Sequence, residues 1–192
     1  MPVKYRDWAR QFDVLNPGWE SRLWDEREFI GLFSAGDYTL LKSCYERAET
    51  LAGKADIARL LIIHHVGGLY LDTDYRPLRA VEPLLHDSSC VLFKANPAKG
   101  IVTNSIFAAV AGHQFTATVL ARFHGAFHPT RPNLSGPHLF TEVANGRGDV
   151  RIMESRIHAP LPYPESGKLS ELLDYPESYL VHHFAASWVG KK

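Results

Sequence analysis

Two carboxylates separated by one residue, Asp72 and Asp74, end the run Leu69-Tyr70-Leu71-Asp72-Thr73-Asp74. In a strand, residues two apart point to the same face with Cα atoms about 6 to 7 Å apart, so both acids can converge on one ion. Two hard oxygen ligands on one side suit Mg²⁺ or Mn²⁺. Their place at the carboxyl end of a strand is where open α/β sheets bind ligands. Taken alone, the same pair also reads as two solvated turn acids. Asp56 and Arg59 stand three apart in a helical run and share a face, as a surface ion pair would. Tyr70 points as Asp72 does and either lines a pocket or packs in the core. Near the other end, His182 and His183 are adjacent on a strand, so they face opposite ways and only one can reach a site beside the acids. We favour His182. Asn104, polar within an apolar strand, is a weaker candidate contact for a sugar.

These residues need an α/β frame. Tyr5, Trp8, Phe12 and Leu15 mark a first helix that Asn16-Pro17-Gly18 stops. Trp19 to Trp24, short and aromatic, reads as a strand, and Asp25 as the cap of a helix reaching Phe33. A second helix face, Leu40, Leu41, Cys44, Ala48 and Leu51, runs from Thr39 to near Gly53. Lys54 to His65 is apolar on nearly every side, which predicts a buried helix stopped by Gly67-Gly68. The strand bearing the acids follows directly. Cys90 to Lys94 and Ile101 to Val110 read as strands and Gly112 to Phe123 as a helix. Pro129 to Pro137 then reads as a loop, Leu139 to Ala144 as helix, and Val150 to Met153 and Tyr179 to Phe184 as strands. Alternating helices and strands without a repeat or linker give one α/β domain over residues 1–192.

Composition narrows the function. The chain balances 21 Lys plus Arg against 21 Asp plus Glu, and no basic run is present, so nucleic acid is not an expected partner. The most apolar stretch, Ala58 to Leu71, is broken by histidines and glycines and falls short of the roughly 20 residues that span a bilayer. No integral membrane segment or signal peptide is expected. Cys44 and Cys90 lack metal or disulfide spacing and read as reduced core thiols, which fits a cytoplasmic protein. A chain of this length buries roughly 70% of its unfolded surface, so it needs no metal to hold a core and a bound metal would be functional. His124 and His128 have metal spacing but no accompanying Glu, and Pro129 follows them.

The block Lys54 to Arg59, followed by Val66-Gly67-Gly68-Leu69-Tyr70-Leu71-Asp72-Thr73-Asp74, closely resembles the sugar-nucleotide segment of glycosyltransferase family 32. Asn16-Pro17-Gly18-Trp19-Glu20 with Leu23-Trp24-Asp25, Gly136-Pro137, and His182-His183 with Ser187-Trp188 resemble further blocks of that family in the same order. Related sequences include yeast-type mannosyltransferases and the catalytic domains of glucosylating toxins. The resemblance implies a Rossmann-like glycosyltransferase A fold. It implies a divalent cation, Mn²⁺ or Mg²⁺, and a nucleotide-sugar donor, UDP- or GDP-hexose. The hexose would pass to a carbohydrate or other hydroxyl acceptor with retention of configuration. On the family pattern Asp74 is the direct metal ligand, and Asp72 contacts sugar or ribose hydroxyls, with or without a contact to the metal as well. Asp56, Arg59, Tyr70 and Trp188 fall at the donor, and His182, His183 or Ser187 completes the metal shell. Family members usually begin with a strand before the first helix, and this chain starts at that helix. Two rivals remain: a catalytically silent sugar- or nucleotide-binding relative, and a haloacid-dehalogenase-like phosphatase. The phosphatase would use Asp72 as nucleophile, but Arg76 stands where that motif carries Thr or Val.

Overall fold

A computed structural model describes residues 2–95, 100–161 and 175–185. Helix α1, Val3–Leu15, ends where Asn16 folds its side chain back, donating from Nδ2 to Phe12 O at 2.9 Å. The buried Asn16 also accepts from Val81 N–H at 2.8 Å, tying the end of α1 to the body of the protein. Residues 20–25 join no ladder, which corrects the strand expected at Trp19 to Trp24. Trp19 and Trp24 line a cleft wall instead, and aromatic enrichment reports a half-buried surface rather than a backbone state. Asp25 caps helix α2, Glu26–Ile30, in a reciprocal capping box with Glu28, and a 3₁₀ turn, Gly31–Ser34, follows.

The expected second helix ends earlier than its apolar spacing suggests. Helix α3 covers Thr39–Arg47, and Ala48 turns extended. Thr50 then accepts from Gly53 N–H and opens helix α4, Leu51–Val66, which buries Ile57, Leu60, Leu61, Ile62 and Ile63. A local capping bond thus outweighed continued periodicity. At the end of α4, Gly67 sits at φ +73° with Ala111 N only 2.8 Å from where a Cβ would be. Glycine is needed there for both the backbone conformation and the space.

Strand β1 is Gly68–Leu71 and stops before the acids, which therefore lie in a turn rather than along the strand. After them comes a short strand β2, Tyr75–Pro77, that the sequence reading lacks. Helix α5, Glu82–Leu85, leads to β3, Cys90–Lys94, and to β4, Val102–Ala109. Helix α6 covers Gln114–Ala126, a π-type turn occupies Leu134–His138 within the expected loop, and α7 is Leu139–Ala144. Strands β5, Arg151–Met153, and β6, Leu180–His182, complete the described chain.

The main sheet has the order β1-β4-β3-β5, with β4 antiparallel to β1 and β3, and β5 parallel to β3. Period-2 alternation divides the core between its faces. Cys90, Leu92, Phe107 and Ala109 pack with α3, α4, α6 and α7, while Val91, Phe93, Ile106 and Ala108 pack with Tyr75, Val81, Leu84 and Leu180. Both cysteines are buried and free, and burial pushes the Cys90 thiol up to about 12. Among the described residues no helix is long and apolar enough to cross a membrane. β2 pairs with β6, Tyr75 opposite His182, as a separate two-stranded ribbon beside the sheet.

One irregularity positions the site. Leu92 pairs with Phe107 while the next residue, Phe93, pairs with Thr103, so Asn104, Ser105 and Ile106 bulge from β4. A bulge bends the strand and re-aims its side chains and carbonyls. Here it delivers Ser105 to the end of β1 and Asn104 to the middle of α4, where their contacts gather the charged residues.

Candidate active site

Asp72 leaves β1 with its N–H still bonded to the bulge, donating to Ser105 O at 2.9 Å. Its side chain is held through Oδ1, which accepts from the Tyr70 hydroxyl at 2.6 Å and lies 3.2 Å from Arg59 Nη1. Arg59 in turn donates from Nη1 to Asn104 O at 2.7 Å and lies over the Tyr70 ring at 4.7 Å. Asp56 stands 3.4 Å from Arg59 Nη2 and accepts from Asn104 Nδ2 at 2.7 Å. The Asp56 and Arg59 side chains are each 6% exposed, so the surface-pair reading is overturned: α4 carries them inward, against the bulge.

Burial sets the charge balance. Loss of water pushes Asp56 up to about 6, although Arg59 and Asn104 pull it down. Burial opposes the Arg59 charge, but Asp72, Tyr70 and Asp56 together raise its pKa above the ordinary arginine value. Arg59 is therefore a fixed cation at the root of the site. Burial also raises Tyr70, keeping its phenol protonated as a donor to Asp72.

Asp74 is drawn in from the other side. Its Oδ1 lies 3.3 Å from His182 Nε2, its Oδ2 accepts from Ala185 N–H at 2.8 Å, and its backbone carbonyl accepts from His183 N–H at 3.1 Å. Burial would raise the Asp74 pKa, but the His182 and Ala185 contacts prevail and hold it below the usual carboxylate value. Adjacent positions diverge as strand geometry requires. His182 turns to the acids, and His183 packs on Trp8 with ring centroids 4.4 Å apart.

One ligand atom from each of Asp72, Asp74 and His182 falls within 4.8 Å of the others. Two carboxylates and an imidazole form a donor set suited to Mn²⁺ and, with less nitrogen preference, Mg²⁺. Their side chains are 29%, 13% and 9% exposed, so all three are partly withdrawn from solvent. Ser187 and Trp188 lie outside the described residues.

A cleft of about 860 Å³ opens beside this cluster, lined at its charged end by Arg59, Tyr70, Asp72, Thr73 and Tyr75. Trp8 and Phe12 of α1, Trp19 and Trp24 of the following segment, and Ala58 and Ile62 of α4 form its apolar walls. At the mouth the Arg22 guanidinium lies 3.9 Å from the centre of the Trp24 ring. Asp56 and Asn104 do not line this cleft and reach it through Arg59. Gly136 explains how they fit: a Cβ there would stand 2.8 Å from both Asp56 Oδ2 and Asn104 Nδ2. Gly136-Pro137 thus closes the back of the Arg59 nest. Tyr75, which the sequence reading did not single out, touches both the cleft and His182.

The chain is similar to known glycosyltransferases in sequence and in fold. Residues 4–91 match a family model described as the glycosyltransferase sugar-binding region containing DXD motif. The chain is 32% identical over 134 residues to inositol phosphoceramide mannosyltransferase 3 of Schizosaccharomyces pombe, covering 67% of this chain and 36% of that protein. It is 29% identical over 98 residues to mannosyltransferase 1 of the same series and organism, covering 51% of this chain and 30% of that protein. The chain therefore spans about a third of the length of these curated relatives. Among solved structures, the PaToxG glycosyltransferase superposes with a TM-score of 0.61 at 15% identity, over 74% of this chain and 62% of that one. The fold is that of a glycosyltransferase A domain, α/β with a mixed sheet.

Proposed function

We propose, from the premise that residues 4–91 carry the DXD sugar-binding region of glycosyltransferase family 32, that this chain transfers a hexose from a nucleotide sugar to a hydroxyl acceptor. The observation that carries the reading is the convergence of Asp72, Asp74 and His182 at the charged end of the cleft. Asp72, Asp74 and His182 would hold Mn²⁺ or Mg²⁺. When bound there, the ion supplies Lewis-acid stabilisation of the charge on a departing diphosphate.

The chain's own residues do the rest by position. Arg59 and Tyr70 hold Asp72 through Oδ1, which leaves its second oxygen turned to accept from a hydroxyl of the donor sugar or ribose. Arg59 adds a fixed positive charge beneath the site of developing negative charge. The aromatic walls take the flat and apolar faces of the donor and exclude water around it. Transfer proceeds with retention by attack on the same face from which the leaving group departs, the phosphate oxygen taking the acceptor's proton. Catalysis is then positioning and charge stabilisation rather than a protein nucleophile. The S. pombe relatives are named as mannosyltransferases, which makes a GDP- or UDP-hexose the first donor class to test.

The test is a thermal-shift panel of UDP, GDP and their hexoses, with and without Mn²⁺, followed by product analysis with the donor that binds. One nucleotide should raise the melting temperature only with Mn²⁺, since a ligand stabilises in proportion to its occupancy. Absence of any Mn²⁺-dependent shift refutes the reading. Binding without turnover would instead make the chain a silent nucleotide-sugar-binding relative, and a covalent sugar adduct or inverted product would refute same-face attack.

A further inference from the structure

The imidazole of His182 has an unusual support. Metal-binding histidines ordinarily donate their second ring N–H to a carbonyl or carboxylate, which fixes ring and tautomer. His182 Nδ1 is buried and has no hydrogen-bond partner among the described residues. Two aromatic rings hold it instead. The Tyr75 ring stacks on it at 4.3 Å with an interplanar angle of 11°, and the Phe184 ring packs at 4.0 Å. Phe184 takes φ +46°, a left-handed conformation that is costly for a bulky residue and persists only where its surroundings require it.

Tyr75 is itself anchored by a hydrogen-bond chain whose direction can be assigned. His158 Nε2 lies 3.0 Å from Lys94 O, and a carbonyl only accepts, so the His158 proton is on Nε2 and Nδ1 is an acceptor. The Tyr75 hydroxyl, 3.0 Å from His158 Nδ1, is the donor to it. Its oxygen then accepts from Ser105 Oγ at 2.8 Å, which accepts from Thr103 Oγ1 at 2.8 Å. Thr103 Oγ1 accepts from Ser105 N–H at 3.1 Å, closing the chain on the β4 bulge. Tyr75, His158, Ser105 and Thr103 are all buried. The bulge, β3 and the His158 turn therefore all bear on one phenol ring, and that ring lies flat on His182.

We infer that Tyr75 is a positioning residue: its anchored ring, rather than a hydrogen bond to Nδ1, sets the orientation of the His182 imidazole toward Asp74. The inference rests on the metal reading above for its consequence but not for its geometry. The test uses the full chain and the variants Tyr75→Phe, Tyr75→Leu, His182→Ala and Tyr75→Leu/His182→Ala, each checked for folding by circular dichroism. Mn²⁺ affinity is read by electron paramagnetic resonance of the free ion. Tyr75→Leu should weaken Mn²⁺ by at least about tenfold, as loss of an orienting partner does, and Tyr75→Phe by less, since it keeps the ring. The double variant should bind no more weakly than His182→Ala, because Tyr75 acts only through that ring. A second readout needs no metal. The His182 ring protons, shifted upfield by the stacked phenol, should move downfield in Tyr75→Leu and only slightly in Tyr75→Phe. Parental Mn²⁺ affinity in Tyr75→Leu, losses that add to those of His182→Ala, or unmoved His182 ring resonances would each overturn the inference. If the parent binds no Mn²⁺, the proposed function fails and the ring resonances alone decide the positioning role.

Discussion

Asp74, part-buried, and Asp56, buried, show how two carboxylates of one site take different roles. Asp74 has lost part of its water but gained the His182 imidazole and the Ala185 N–H, and its charged form is favoured. Replacing it with Asn keeps the shape and removes the charge. Asp74→Asn should stay folded, lose Mn²⁺-supported turnover and weaken Mn²⁺ by at least about tenfold, measured by activity against Mn²⁺ concentration. An unchanged Mn²⁺ dependence would remove Asp74 from the ligand set. Asp56 lies deeper, and burial carries it to about 6 from an ordinary 3.8. Between those values the native state binds more protons than the unfolded chain, so the contribution of Asp56 to stability falls as pH rises through the window. It is complete below about pH 4 and lost above about pH 6. The stability of the parent relative to Asp56→Asn should therefore decline between about pH 4 and about pH 7, as read by urea unfolding of both proteins. A difference that is flat or that grows with pH would show Asp56 to be ionised without cost beside Arg59.

At the scale of elements, the site depends on close approach more than on any one helix or strand. The bulge in β4 brings Asn104 O to Arg59, Ser105 O to Asp72 N–H and the Asn104 amide to Asp56, while the Leu134–His138 turn closes behind them. Gly136 is the point of contact, since a Cβ would meet Asp56 and Asn104 at 2.8 Å. Neither neighbour can give way freely, because each is hydrogen-bonded within the nest. Gly136→Ala should cost about 1 to 3 kcal/mol by overpacking, measured by chemical denaturation, and should lower donor affinity by displacing Arg59. Unchanged stability would mean that the turn moves independently of the nest. Thr50→Ala is a milder control on the same frame, because loss of the α4 cap should cost about 1 kcal/mol without altering donor binding.

On the scale of the whole molecule, the proposed metal centre joins parts that are distant in sequence. Asp72 and Asp74 follow the edge strand of the main sheet, and His182 ends the β2–β6 ribbon. An ion held by all three would tie ribbon to sheet, so Mn²⁺ should raise the melting temperature of the parent and leave that of His182→Ala almost unchanged. At a concentration 100 times its dissociation constant the gain is about 2.7 kcal/mol. Equal shifts in the two proteins would place the ion elsewhere. Residue order alone was enough for whatever depends on neighbours in the chain. The buried helix before Gly67-Gly68, strands β3 and β4, helix α7 and the divergence of His182 from His183 are all readable from periodicity, because backbone geometry fixes which side chains share a face. Thr50 was readable too, as a cap that the continuing apolar pattern masked. Trp19 to Trp24 failed as a strand because aromatic residues serve a cleft wall as well as a ladder, and local pattern does not separate the two. β2 exists only because β6 supplies its hydrogen bonds from about a hundred residues away. The burial of Arg59, the β4 bulge and the stacking of Tyr75 on His182 belong to the same class. Their energies come from contacts between residues far apart in sequence, which are defined only once the chain has packed, so tertiary structure alone decided them.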